Sequence, residues 1–569
     1  MKPVGEDPIV LVDHLGYNAH APKAAIVAAV SGTSVRSAVL RMGDRALPLE
    51  VCEPERVDGW GPVLYSRIDL SQVDEPGVHE LQVRVGDGTV TAPVVIAPDR
   101  LPRVAVADIT AAFRSARSSG EIDRKDAHAR FYGDDSGAEV DARGGWLDAS
   151  GDYSKFLSHL TYTRMMSPQQ IPLCAWAMFA ARDELARRHP GFVTSQHARL
   201  RDEGLFGADF LMRFRSPDGY FYTAIFDALT KDLNERVITA PLQDSVRTQR
   251  WQAAFRHGGG LAIAALARAS TQDDHGEHAS HEYLDAAQQA FDHLEEHNTE
   301  YLFDGAESII DDYCALLAAS ELVAAGGGER FLDAARGRVE RLRGRWVQGS
   351  DGIGHLVGDR LGRPYFHAAE SGLPTIALVR FATVAPDDPL APVARALAVA
   401  IMAAVAERTD AVPNPFGYPI QLVQDEHSDA PRNAFFFPHD NETGYWWQGE
   451  NANLGSVAVA ASLVSELPEC GAELGERLSV LAADCLAWVG GLNPFDSCML
   501  QGRGRGNVEY LGAYQNSPGA IVNGVTSHPS DENDIAFLPE EAGDGEEWRW
   551  AEQWIPHSAW FLLAVCTAR

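Results

Sequence analysis

The stretch Gly260-Leu-Ala-Ile-Ala-Ala-Leu-Ala267 is apolar on nearly its whole circumference when wound as a helix, so it has to be covered on more than one side. Alanine-rich runs of the same kind, with apolar residues at i, i+3, i+4 and i+7, recur through most of the chain. They predict helices near 103–117, 168–189, 199–215, 249–270, 281–296, 306–324, 329–346, 368–382, 389–407, 448–465, 471–490 and 554–566. Helices buried on two sides need a second layer of helices around the first. The fold class read from this pattern is mainly α.

The first hundred residues follow a different rhythm. Short β-rich runs at 9–12, 24–29, 37–41, 63–69, 79–85 and 90–96 are separated by Gly, Pro and Asp turn signals, the spacing of a small β-sandwich. Val83-Arg-Val-Gly-Asp-Gly-Thr-Val90 reads as a hairpin with Gly-Asp-Gly at its tip. Pro98 and Pro102 mark a stiff linker. The expected organisation is therefore a β-sandwich over 1–100 and a helical domain over 101–569.

Composition narrows the partners. Forty-eight basic residues against eighty acidic ones give a formal charge of −32, which opposes binding to nucleic acid or an anionic membrane and leaves a small neutral or cationic substrate. No run of about 18 apolar residues is present to span a bilayer. Cys52, Cys174, Cys314, Cys470, Cys485, Cys498 and Cys566 are odd in number and widely spaced, which argues against a disulfide framework or a zinc site. The first residues, Met-Lys-Pro-Val-Gly-Glu-Asp-Pro-Ile-Val, lack a secretory pattern, so the expected location is the cytoplasm. Sequence leaves the oligomeric state open.

Three long connections, 140–167, 409–447 and 491–553, interrupt the helices, and connections of that length in a compact domain usually carry function. The first contains Gly144-Gly-Trp-Leu-Asp-Ala-Ser-Gly-Asp-Tyr-Ser-Lys-Phe156. Small residues between Asp148 and Asp152 allow a tight turn, and Trp146, Tyr153 and Phe156 offer flat apolar walls. Glycoside hydrolysis needs one carboxylate to activate water and one carboxylic acid to protonate the leaving oxygen. Glu552, flanked by Trp548, Trp550 and Trp554, suits the acid, because desolvation among indoles raises a carboxyl pKa. A lone D-x-x-x-D also serves as an ordinary capping loop, and Glu552 also fits a buried structural acid.

These residues carry a resemblance. The chain resembles glycoside hydrolase family 9, in the subset with an N-terminal immunoglobulin-like domain, over nearly its whole length. Gly145-Trp146-Leu147-Asp148-Ala149-Ser150-Gly151-Asp152 is similar to the family's D-A-G-D segment with one inserted residue. Leu492-Asn493-Pro494-Phe495 resembles the L-G-x-N-P-F signature, and Ala551-Glu552-Gln553 falls at the acid position. The resemblance implies an (α/α)6 barrel behind the sandwich and inversion at the anomeric carbon. By the same likeness Asp152 is the base, Asp148 helps hold the water and Glu552 is the acid. It implies no cofactor, with a structural calcium as an option, although no contiguous Asp/Asn ligand loop is present.

The departures carry information as well. The His-His-Arg stretch of family endoglucanases is absent from 515–522, and Ser150, the segment 167–172 and the segment 437–451 resemble the exo-acting branch. That branch includes β-glucosidases and exo-β-glucosaminidases, so the expected activity is release of a terminal β-linked glucosamine or glucose from the nonreducing end of chitosan or cello-oligosaccharides. An endo-β-1,4-glucanase is the alternative within the class, and a noncatalytic carbohydrate-binding protein the alternative outside it. Tyr445, Trp446 and Trp447 are expected to stack on sugar, with Glu450 and Asn451 on its hydroxyls. Adjacent residues in an extended run point opposite ways, so only one of Trp446 and Trp447 faces the cleft. Asp312, beside Asp311 in an apolar helix, needs either a substrate ammonium or an internal arginine. His367 and His439 read as hydrogen-bonding groups, for substrate or backbone, in preference to metal ligands.

Overall fold

A computed structural model describes residues 1–569 except Lys2, Gly5, Glu6, Ser31, Gly32, Tyr162, Arg164, Val193, Leu511–Gln515, Asp544 and the side chains of Thr194 and Ser195. Among the described residues, twelve helices longer than seven residues form two concentric layers. They are α1 (Arg100–Ala116), α2 (Ile171–Arg188), α3 (Thr194–Arg213), α4 (Gly259–Ala269), α5 (Ser280–Tyr301) and α6 (Ile309–Ala324). The second half supplies α7 (Glu329–Gly344), α8 (Leu373–Val384), α9 (Ala391–Asp410), α10 (Asn451–Val464), α11 (Ala472–Gly490) and α12 (Ile555–Thr567).

The even-numbered helices close a ring, each packed on the next and α12 back on α2. Each has an outer partner: α3 on α2, α5 on α4, α7 on α6, α9 on α8, α11 on α10 and α1 on α12. This is an (α/α)6 barrel. Residue chemistry sorts the layers, since every residue of α4 is buried while the outer α7 buries only Phe331, Ala335, Arg338, Val339 and Leu342. Small residues let the inner helices approach closely. A Cβ on Gly260 would stand 2.7 Å from the Cβ of Cys314 on α6.

Two helix starts lie later than expected, each at a residue that punctuates the backbone. The run predicted over 249–270 begins as helix only at Gly259, because Gly258 sits at φ 97° and the preceding residues form a single 3-10 turn, Phe255–His257. The run predicted from 368 begins at Leu373, with Pro374 in its first turn, where a missing N–H costs nothing. All seven cysteines are free thiols, and only Cys52 is exposed. No helix among the described residues is long and apolar enough to cross a membrane.

The N-terminal region forms two facing sheets. Strands β1 (Ile9–Leu11), β3 (Ala24–Val30) and β6 (Val63–Asp69) make one. The other runs β2 (Tyr17–Asn18), β8 (Gly88–Ala97), β7 (Gly77–Val85), β4 (Val35–Met42) and β5 (Arg45–Leu49). The expected hairpin is the β7–β8 turn, with Val85 opposite Gly88. Strand β3 is apolar at every position because both its faces are covered. Ala25, Val27 and Ala29 face the second sheet, whereas Ile26 and Ala28 join the core that continues into the barrel.

The joint with the barrel is aromatic and charged. Trp60 lies 5.7 Å from Trp488 and 6.1 Å from Phe416, ring centre to ring centre. Arg67 on β6 donates to Asp484 on α11 at 2.7 Å and to the Pro415 carbonyl at 2.8 Å. Burial pushes the Asp484 carboxyl up and Arg67 pulls it back. Arg67→Ala leaves that charge without its partner, so urea unfolding is expected to show a loss of about 2–3 kcal/mol. Unchanged stability would mean that the pair does not hold the sandwich to the barrel.

Candidate active site

The segment with Asp148 and Asp152 has almost no regular structure of its own, and buried charge fixes it. Lys155 donates to the carbonyls of Ala142 at 2.9 Å and Gly144 at 2.7 Å, and pairs with Asp126 at 2.7 Å. Arg236 binds the same carboxylate through two bonds of 2.9 Å and donates to the Tyr153 carbonyl at 2.6 Å. Lys155 and Asp126 are almost entirely out of solvent. One acid and two cations thus hold both ends of the loop.

Within the loop, the Asp152 N–H donates to the Ala149 carbonyl at 3.1 Å, closing a turn. Gly151 takes φ 93°, and a Cβ there would meet the Tyr510 ring at 3.0 Å. The Ser154 N–H donates to Asp152 Oδ1 at 2.8 Å. Asp148 faces inward: its Oδ1 accepts from the Trp554 indole at 3.0 Å, and its carbonyl accepts from the Ile555 N–H at 3.1 Å.

The segment before α12 arrives alongside. A helical turn, Trp548–Ala551, ends at Glu552, whose backbone is extended. Ala149 bridges Trp554 in antiparallel fashion, and the Ser150 N–H donates to the Gln553 carbonyl at 3.0 Å. Asn523 donates its N–H to the Glu552 carbonyl at 2.7 Å. Asp148, Asp152 and Glu552 therefore stand together at one end of the barrel, and their charges are felt mutually.

The environments separate the carboxyls. Glu552 is pushed up to about 8, first by desolvation and then by the Asp152 charge, against a smaller pull from Asn523 and Lys231. Asp152 is also raised by desolvation, but the Ser154 donors and Arg236 favour its anion. Asp148 is raised by burial and by both other acids, with Trp554 and Gln170 opposing. Asp152 and Glu552 keep part of their surface open, while Asp148 is buried. A carboxyl pushed up to about 8 beside another whose donors favour its anion is an arrangement from which general acid–base chemistry can be built.

A cavity of about 300 Å³ opens between the strand that follows Asp152 and the Tyr445–Trp446 segment, with none of the three carboxyls among its walls. Phe156, His159, Leu229, Asp244, Tyr445 and Trp446 are among its walls. Tyr445 is 46% exposed, and Trp446 packs edge-on against Trp554 at 6.0 Å. Trp447 points the other way, stacked on His439 at 3.9 Å and lying 4.1 Å from the Arg549 guanidinium. Trp446 lines this cavity and Trp447 does not, so the expected place of Trp447 against a sugar there is corrected.

Four other expected substrate contacts are corrected in the same way. Asp312 is fully buried and bound by Arg338, Arg341 and Arg345 at 3.2, 2.6 and 2.7 Å, the internal-arginine alternative. Glu450 accepts from the Phe437 N–H at 2.6 Å and from Gln421 at 3.4 Å inside the barrel, and burial holds it at about 8. Asn451 donates to the Val522 carbonyl at 2.8 Å. His367 accepts from the Ala369 and Glu370 N–H groups at 3.0 and 3.1 Å, and burial lowers it to about 3. Each of these polar groups serves the backbone or an ion pair, which is why none faces the cavity.

Sequence reading missed the segment between α3 and α4. Strands β10 (Ala224–Phe226), β11 (Val237–Pro241) and β12 (Arg247–Thr248) extend from β9 (Lys155–Phe156), immediately after Asp152. They deliver Arg236, one wall of the cavity, and buried Asp227, which accepts from the Leu229 and Lys231 N–H groups at 2.9 and 2.8 Å. The short apolar run Ala224-Ile-Phe226, preceded by Phe221 and Tyr222, was the available signal. Among the described residues no group of three or more His, Cys, Asp or Glu side chains is placed to hold a metal ion. Gln515, at the head of the stretch lacking His-His-Arg, lies outside the described residues.

An (α/α)6 barrel with desolvated carboxyls gathered at one end of its ring is the frame of a glycoside hydrolase. The chain belongs to glycosyl hydrolase family 9, whose sequence model matches residues 104–511. That match includes Asp148 and Asp152 and ends before Glu552. A family 9 endoglucanase from a metagenome is 17% identical with a TM-score of 0.63, each chain covered over 99% of its length. A family 9 protein of Bacteroides ovatus gives the same values. The family 9 endoglucanase J30 is 18% identical with a TM-score of 0.64, covering 97% of this chain and 100% of its own. At these identities the likeness establishes the fold. A search of curated protein sequences gives no match.

Asp126→Asn removes the charge shared by Lys155 and Arg236. Loss of one partner from a buried ionic cluster costs about 3–5 kcal/mol, so the variant is expected to unfold at markedly lower denaturant. Near-native stability would show that the loop is held by other means.

Proposed function

We propose that this glycoside hydrolase releases a terminal β-linked glucose or glucosamine from the nonreducing end of short cello- or chitosan oligosaccharides, with inversion. Asp152 takes a proton from the attacking water, Asp148 helps orient that water, and Glu552 protonates the leaving oxygen. The observation that supports this most is the cluster of three desolvated carboxyls, in which Glu552 is pushed up to about 8 while the Ser154 donors and Arg236 favour the anion of Asp152. The cavity that opens by the strand after Asp152 is near the lower end of ordinary ligand pockets, about 300–1,000 Å³, which suits one terminal sugar against Trp446 and Tyr445. With Asp312 and Glu450 engaged inside the barrel, glucose ranks ahead of glucosamine.

A second reading, endo-β-1,4-glucanase, is favoured by the names of the similar structures, two of which are called endoglucanases. The two are separated by comparing nitrophenyl β-glucoside and β-glucosaminide hydrolysis with viscosity loss of carboxymethylcellulose. The exo reading expects terminal sugar release with little viscosity change. Rapid viscosity loss moves the assignment to the endo reading.

Asp152→Ala and Glu552→Gln are each expected to lower kcat by roughly 10²- to 10⁴-fold with unchanged circular dichroism. Near-normal turnover in either variant rules out the pair. The pH profile follows from the same groups. Glu552 works protonated, so kcat/KM falls as pH rises through about 8. Asp152 works ionised, so the acid limb lies above the ordinary carboxylate range. An alkaline limb below pH 6 would show that Glu552 is not the acid.

A further inference from the structure

Ser150 stands in the turn between the two aspartates and bonds to the acid segment through both its backbone and its side chain. Its N–H donates to the Gln553 carbonyl at 3.0 Å, and its Oγ accepts from the Gln553 N–H at 2.8 Å. The two segments are thereby joined through a reciprocal pair of bonds at one residue. The Ser150 hydroxyl also donates to Asn516 Oδ1 at 3.0 Å, and Asn516 donates to the Ala551 carbonyl at 2.8 Å. Both peptide neighbours of Glu552 are thus tied to the side chain that separates Asp148 from Asp152.

We propose that Ser150 is a positioning residue that sets the spacing between the base loop and the acid segment. The inference rests on the assignment of Asp152 and Glu552 as base and acid. Backbone pairing at Ala149 and Trp554, with the Ile555 N–H on the Asp148 carbonyl and the Ser150 N–H on the Gln553 carbonyl, sets the register of the two segments but gives the Gln553 N–H and Asn516 Oδ1 no partner. The Ser150 hydroxyl supplies both partners, accepting from the Gln553 N–H and donating to Asn516, and so holds the residues on either side of Glu552 at a fixed distance from the base loop. An alanine at 150 keeps the turn and loses both side-chain bonds. A threonine keeps the hydroxyl, and a cavity of about 160 Å³ that Ser150 itself lines has room for the added methyl.

The test compares wild type, Ser150→Ala and Ser150→Thr on cellotetraose and chitosan tetramer, substrates with bonds open to either exo or endo attack. Small displacements of reacting groups cost up to about 10²-fold, so Ser150→Ala is expected to lower kcat by roughly tenfold to a hundredfold with KM within about twofold, and Ser150→Thr to restore most of it. The alkaline limb of Ser150→Ala should move to lower pH, because Asp152 then raises Glu552 less. Thermal unfolding is measured alongside, and a residue of only structural importance lowers the melting temperature without this kcat and pH signature. Wild-type kcat and pH limb in Ser150→Ala, or equal losses in the alanine and threonine variants, would overturn the inference. Full activity in Asp152→Ala or Glu552→Gln would instead bring down the assignment on which it rests.

Discussion

One carboxylate, Asp126, shared between the buried cations Lys155 and Arg236, is the constraint on which the active end of the molecule depends. The loop bearing Asp148 and Asp152 lacks a continuous ladder of its own, so its carbonyls need donors from elsewhere. Lys155 and Arg236 supply them at Ala142, Gly144 and Tyr153. Burying three charges is costly, and the arrangement is tolerable because each is paired and each cation also meets backbone oxygen. The same Arg236 then helps keep Asp152 anionic. Structural support and electrostatic tuning come from one group.

The barrel contributes rigidity and orientation, and the chemistry sits on its connections. Inner helices are close-packed through alanine and glycine, so α2 and α12 lie side by side. That adjacency brings the segments leading into them, 148–170 and 546–554, to the same place. Carboxyls about 400 residues apart in sequence (Asp148 and Glu552) become neighbours because the ring closes there. Desolvation raises them all, and local donors then separate them: Ser154 and Arg236 act on Asp152, whereas the Asp152 charge itself pushes Glu552 further up.

Much of this was legible in the chain. Periodicity placed the helices, because helices buried on both sides leave an unbroken apolar signature, as at Gly260–Ala267. The loop at Asp148–Asp152 and the indoles around Glu552 were readable from composition. The polar interior was not. Asp312, Glu450 and Asn451 look like ligands in sequence, yet each is bonded to a partner distant in the chain, and such pairings exist only once the ring has closed, whereas His367 turns its Nδ1 to the local backbone. Asp126 and Arg236 were unremarkable one at a time, and Ser150 stood out only as an extra small residue in the turn. Their roles arise from the residues they bridge, and the short strands at 224–248 gave too little alternation to announce that they extend the catalytic loop.

In the proposed mechanism water attacks from the Asp152 side while Glu552 protonates the leaving oxygen on the other, which turns the anomeric centre over in a single displacement. The most direct measurement is proton NMR of the first sugar released from a β-linked oligosaccharide, recorded before mutarotation scrambles the anomers. The α-anomer is expected to appear first. Initial release of the β-anomer would mean a covalent intermediate and two displacements, and would contradict the assignment of Asp152 and Glu552 as base and acid.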